Sequence, residues 1–254
     1  TKFFRSLKYA SWENKAKADF LVRQGRAFIS QKEPNIKSAI KKFKKAQKLN
    51  PDIDLNPSTK EIDKDPKTVA HLLAAPAKVQ FGAILAREGK IKEAISAYQE
   101  AQKLNQEAQT LYPDIDLNPL TKEIDKDPKK VAQQLATEGK VEQGMLLAIQ
   151  QRIEQAISAY QEAQKLNPDI DLNPKTKEID KDPKTVARQL AAQAAAEAKL
   201  YLGMILVIEG EIKEAISVYQ EAQKLNPDID LNPLTKEIDK DPKKVVEQLA
   251  LDSE

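Results

Sequence analysis

The sequence predicts an all-α fold, an α-α superhelix or helical-repeat solenoid of four helix pairs with helical caps. Three observations carry that expectation. A fifteen-residue segment recurs: IKEAISAYQEAQKLN from Ile91, IEQAISAYQEAQKLN from Ile153, IKEAISVYQEAQKLN from Ile212 and a divergent IKSAIKKFKKAQKLN from Ile36. Its starts lie 55, 62 and 59 residues apart, so four units fill the 254 residues. Length differences among the copies come close to whole helical turns, which is expected only of helices.

Each recurring segment reads as the second helix of a pair. Ile91, Ala94, Ile95, Tyr98, Ala101 and Leu104 recur at three- and four-residue steps and make one apolar face. A first helix precedes it, opening at Asp65-Pro66, Asp127-Pro128 or Asp182-Pro183, with Asp as N-cap and Pro as first helical residue. Two first helices end at Glu-Gly, Gly89 and Gly210, while Gln150-Gln151 stands at that turn in the third copy. The second copy carries seven extra residues, Gln106 to Tyr112, which keep Ala108 and Leu111 on the face of Ala101 and Leu104. The first helix of the fourth pair is four residues longer than its counterparts. Asp241-Pro242 starts a last helix, KKVVEQLAL, with the character of a cap. At the other end Phe3, Phe4, Tyr9, Trp12 and Phe20 make an aromatic helix, expected to pack over the first pair as a cap; the alternative is that in a longer protein it docks to the preceding domain.

Between the pairs lies NPDIDLNPKTKEIDKDPK (residues 167–184), repeated almost unchanged from Asn50, Tyr112 and Asn226. The expected reading is a connector. Proline stops the second helix, Asp-Ile-Asp-Leu alternates as an extended strip with Ile170 and Leu172 facing the protein and the aspartates in water, and Asn173-Pro174 caps a single helical turn. The alternative is a calcium loop formed by Asp169, Asp171, Asn173 and Asp180, and by the equivalent residues of the other copies. Proline stands where such a loop needs glycine, and Asp where it needs a bidentate Glu. No metal and no cofactor is expected.

Composition sets bounds. Hydrophobic content of 41% with 31% charged residues is that of a soluble protein, and no apolar run reaches the roughly 20 residues of a spanning helix. Absence of cysteine excludes disulfides, thiolate catalysis and cysteine-ligated zinc. The chain begins at Thr1 without a visible secretory signal and is expected to be a cytoplasmic segment of something longer. Residues 1–50 hold 14 Lys/Arg against 3 Asp/Glu, whereas the remainder is acidic. Lys37, Lys41, Lys42, Lys44, Lys45 and Lys48 form a basic patch that could meet nucleic acid or another anionic surface, although the plainer reading is a solvated helix face. His71, the one histidine, sits among alanines and leucines and reads as a packed or partly exposed residue. Phosphate loops, HExxH and nucleophile elbows are absent, so catalysis is not expected.

The pairs resemble tetratricopeptide repeats. The resemblance rests on a small residue midway along the first helix (Gly25, Gly82, Gly144, Gly203), an alanine–aromatic–alanine set on the second, and a closing proline (Pro51, Pro113, Pro168, Pro227). That set is Ala39, Phe43, Ala46; Ala94, Tyr98, Ala101; Ala156, Tyr160, Ala163; and Ala215, Tyr219, Ala222. Units of 55 to 62 residues exceed the family's roughly 34 through the connector and a longer first helix. The chain is then one repeat domain, 1–254, with units of about 1–51, 52–113, 114–168 and 169–227, followed by a connector and cap at 228–254. The resemblance implies a non-catalytic scaffold that binds a protein or peptide in a groove lined by first helices, often beside other domains of a large protein. It places groove positions near Val79, Ala83 and Ala86; Val141, Met145 and Ala148; and Leu200, Met204 and Val207. These are apolar, so the family's Lys/Asn/Arg grip on a C-terminal carboxylate is not expected. The groove takes an apolar partner segment, or the chain's own strips and helices fill it. Self-association through exchanged helices stays open.

Overall fold

A computed structural model of the chain describes residues 2–59, 62–108, 114–233, 235 and 238–252, with side chains from Trp12 onward. Among the described residues all regular structure is helical: α1 (Lys2–Ile29), α2 (Ile36–Leu49), α3 (Pro66–Arg87), α4 (Ile91–Glu107), α5 (Pro128–Ile149), α6 (Ile153–Leu166), α7 (Pro183–Ile208), α8 (Ile212–Leu225) and α9 (Pro242–Asp252). They form the pairs α1–α2, α3–α4, α5–α6 and α7–α8, with α9 last. The chain divides into two compact units, residues 1–139 and 140–254, with the boundary inside α5.

The helix starts follow local chemistry. Asp65 accepts the Thr68 N–H at 2.6 Å, Asp182 that of Thr185 at 3.0 Å, Asp127 that of Lys129 at 2.9 Å and Asp241 that of Lys243 at 3.0 Å. Each cap satisfies a backbone donor that the first helical turn leaves without a partner. At the far ends the chain leaves α3 and α7 through Gly89 and Gly210, with φ of 78° and 80°. The Gly89 N–H donates to Ala86 O and the Lys90 N–H to Leu85 O, a Schellman closure. α5 ends the same way without glycine: Gln151 adopts φ 63°, and the N–H groups of Gln151 and Arg152 reach Ala148 O and Leu147 O at 2.9 Å each.

The pairs are held by a ring against a glycine. Phe43, Tyr98, Tyr160 and Tyr219 are fully buried, each facing the glycine of its first helix. A Cβ added to Gly82, Gly144 or Gly203 would come within 2.7, 2.5 and 2.6 Å of the tyrosine ring, so no larger residue fits without moving a helix. Alanines on either side of the aromatic are buried as well, which lets the helices approach closely. The length differences keep phase as expected. α7 has 26 residues against 22 in α3 and α5, and α4 has 17 against 14 in α6 and α8. Ala108 caps α4 and stays buried; Leu111 lies outside the described residues.

The connectors are folded loops. Leu55, Leu117, Leu172 and Leu231 are fully buried, packing against the start of the next first helix: Val69 and Ala70, Val131 and Ala132, Val186 and Ala187, Val245 and Val246. The inward strip was expected; two other details differ. Only the first aspartate of each strip is in water, where Asp169 pairs with Lys181 at 2.8 Å. The second is half-buried and turned inward: Asp171 accepts the N–H groups of Asn173 and Asp180, at 3.0 and 3.1 Å. In place of the expected helical turn, the Thr176 N–H donates to Asn173 O and the Leu172 N–H to Asp180 O, closing the loop on itself. The Asp171 carboxylate, accepting backbone N–H groups two and nine residues further along the chain, holds the segment as a closed loop instead of a helical turn. A glutamine from the preceding second helix then ties the loop down, Gln164 donating to Lys181 O at 2.7 Å and Gln102 to Lys126 O at 2.8 Å.

Two further expectations are corrected. Trp12 is 71% exposed and Phe20 is exposed too, so this part of the aromatic helix does not pack over the first pair. Val69 and Val131, at the same distance before their glycines, are covered by a preceding connector and second helix, a neighbour that α1 lacks among the described residues. The side chains of Phe3, Phe4 and Tyr9 lie outside the description. By length and composition α3 and α7 are also apolar enough to cross a bilayer, each with mean hydropathy 1.4. Alanine raises that value without making an obvious apolar run. Both helices are nonetheless members of packed pairs, and α3 carries Pro76, His71 and Lys78 within its span.

Candidate functional site

The apolar positions expected to line a groove are for the most part core. Val79, Ala86, Val141, Ala148, Leu200 and Val207 are buried within the pairs, while Ala83, Met145 and Met204 are half-buried against the same clusters. The reason is helical phase. Val141 and Ala148 stand three before and four after Gly144, hence on the face that Gly144 turns toward Tyr160.

The exposed face of the first helices lies one step further round. Ile84, Leu146 and Ile205, each two residues after the glycine, are exposed at 42%, 60% and 51%. Within residues 140–254, α7 adds Tyr201 at 62%, Leu202 at 45% and Ile208 at 75%, and α5 adds Ile149. Tyr201, Ile205 and Ile208 follow at four- and three-residue steps and make one stripe. Within residues 1–139 the corresponding place is a cleft of about 470 Å³ between the end of α1 and α3, lined by Arg26, Ile29, Leu73, Pro76, Gln80 and Ile84 among others. Counting from the glycines would have located this face in the sequence.

A charge pattern escaped the sequence reading. Four residues before the glycine, Lys78, Lys140 and Lys199 each reach across to the second helix and pair with Glu100 at 2.9 Å, Glu162 at 2.6 Å and Glu221. The first repeat lacks this bridge, with Leu21 and Lys45 at the two places. Of the basic patch, Lys37, Lys41, Lys44, Lys45 and Lys48 are exposed, whereas Lys42 is half-buried and donates to Gln24 at 2.6 Å.

The calcium alternative meets carboxylates already in use. Asp169 is paired with Lys181, Asp171 holds two backbone N–H groups, Asp180 accepts the Thr176 hydroxyl at 2.7 Å, and Asn173 is buried. Among the described residues no three carboxylates or imidazoles gather as metal ligands do. His71 is buried as expected, with burial pushing its imidazole below the ordinary range and the Glu107 carboxylate, 3.2 Å away, opposing.

Helix pairs locked by a glycine–aromatic contact and repeated in tandem define a helical-repeat protein, a class that works by offering surfaces to other molecules. Three stretches, residues 75–107, 138–170 and 184–228, match models of the tetratricopeptide repeat. The first of these matches opens inside α3 and the third at the start of α7. Such repeats generally mediate protein–protein interaction and are typically non-catalytic. No curated protein matches the chain.

Proposed function

We propose that the chain is a non-catalytic scaffold, one module of a larger cytoplasmic protein, whose partner lays an apolar segment along the exposed face of α7 and the end of α5. The observation that carries this reading is the stripe of Tyr201, Leu202, Ile205 and Ile208 on a helix whose opposite face is buried in its own core against α8 and α9. Large apolar side chains grouped on one face of a repeat that binds proteins are the expected anchors for a partner. Each one fully covered contributes about 1.5–3 kcal/mol. The test compares affinity capture from the native cell by wild type and by Tyr201→Glu/Ile205→Glu. The variant is expected to keep its helical spectrum and melting temperature, since both side chains face solvent, and to lose the wild-type partner. Undiminished capture would sink the reading. Met145→Glu is the contrasting control: Met145 packs against the α5–α6 core, so that change is expected to lower the melting temperature whatever it does to binding.

A further inference from the structure

We propose that α2 carries a second interaction surface, separate from the apolar face, which holds the phosphate backbone of a nucleic acid. Lys37, Lys41, Lys44, Lys45 and Lys48 fall within an arc of roughly 100° and along about 16 Å of the helix, by its rise and turn. All five are exposed, and among the described residues no carboxylate stands within ion-pair distance of any of them.

The other repeats show what α2 has given up. Where α2 has Lys41, Lys44 and Lys45, the second helices α4, α6 and α8 have Ser, Gln and Glu: Ser96, Gln99 and Glu100 in α4, for example. Buried positions hardly differ, since Ala39, Phe43 and Ala46 stand where α4 has Ala94, Tyr98 and Ala101. The bridge between Glu100 and Lys78 has been dismantled at both ends. Leu21 replaces the buried lysine, and Lys45 puts the positive charge outside instead. The lysines also repel one another at three- and four-residue steps. α2 has no acidic residue in its first turn, whereas α4, α6 and α8 have Glu93, Glu154 and Glu214. A helix whose exposed face is uniformly cationic and whose first turn keeps no acid gains from a partner that brings the negative charge.

The form of the surface selects the partner. Bilayer binding needs an apolar face free to enter the lipid, but the apolar residues of α2 are spent on the core: Ala39, Phe43 and Ala46 are buried, and Ile36, Ile40 and Leu49 pack against the same cluster. Base reading needs donors and acceptors in planar array. The stripe has only lysine ammoniums, and the neighbouring Gln47 is engaged by the Lys64 carbonyl. Point charges in a row suit a repeating phosphate, without sequence preference.

The experiment is anisotropy of a labelled, mixed-sequence DNA duplex of about two turns, titrated with the full chain. Binding is expected to weaken with salt at a log–log slope of about −4 to −5, the value for five phosphate contacts. Lys41→Ser/Lys44→Gln/Lys45→Glu installs residues the other repeats already carry and is expected to keep the helical spectrum while losing tenfold or more in affinity. Lys37→Gln/Lys48→Gln is the second variant, with a smaller loss and a slope shallower by about 2. Absence of binding by wild type, or equal binding by both variants, overturns the proposal. Competition by phosphatidylserine vesicles or polyglutamate as effective as that by unlabelled duplex of equal charge overturns the choice of partner.

Discussion

Tyr98, Tyr160 and Tyr219 are each locked against a glycine with the hydroxyl buried, and burial pushes these phenols up to about 12. In an unfolded chain a tyrosine titrates near pH 10. Below about pH 10 both states keep the proton and stability is intact; between about 10 and 12 only the unfolded chain ionises, and stability falls. The loss is on the order of 2 kcal/mol per tyrosine. Melting followed by circular dichroism is expected to drop steeply across that window, and less steeply in Tyr160→Phe. Phe43 shows that the position accepts phenylalanine. Gly144→Ala drives a methyl into the Tyr160 ring and is expected to cost about 1–3 kcal/mol despite alanine's better helix propensity. Gln151 is a subtler case. Its left-handed backbone favours glycine, but its side chain donates to Ala191 O in α7 at 2.8 Å. Gln151→Ala keeps the strain and loses the bond, and is expected to lower stability by about 1 kcal/mol in urea unfolding. Gln151→Gly exchanges one effect for the other and should lie near wild type. At this scale the glycine–aromatic lock was readable, because both residues recur at fixed distances. The Gln151 bond was not, since its partner lies 40 residues away.

For the elements, the connector is where energetics concentrate. Leu172 is fully buried among Val186, Ala187 and Leu190, so Leu172→Ala is expected to cost about 2–5 kcal/mol in thermal unfolding. Asp171→Ala leaves two backbone donors without their acceptor and should cost about 1–3 kcal/mol. Calorimetric titration with calcium is expected to give no heat, because the aspartates answer to lysine and backbone. Four-site binding removed by Asp171→Ala together with Asp54→Ala, Asp116→Ala and Asp230→Ala would reverse that conclusion. Helix starts and phase were legible from Asp-Pro and from three- and four-residue steps. The inward turn of Asp171 was not, because a strip of alternating residues does not reveal that the backbone closes between Leu172 and Asp180. The phase of the outward face was legible in principle: Ile84, Leu146 and Ile205 stand beside the glycines, and the family's usual numbering of the groove led one step away from them.

Across the whole molecule, the repeats hold the same parts in the same order: first helix, glycine–aromatic lock, second helix, closed loop. On the outside, the copies differ most in the lysines of α2 and the apolar stripe of α7. Buried positions were therefore easy to read by self-comparison, and surface function only by noticing where the copies part company. The third and fourth repeats also end in the same seam, since Asn167-Pro168 and Asn226-Pro227 are interchangeable junctions with identical flanks. Homologous exchange between such seams would change copy number in a single event without shifting any helix out of register. A chain in which Asn167 runs directly into Pro227 should fold as a shorter array with its joints intact, losing only one repeat's share of stability. Recombination could thus lengthen or shorten this surface without breaking the parts that remain.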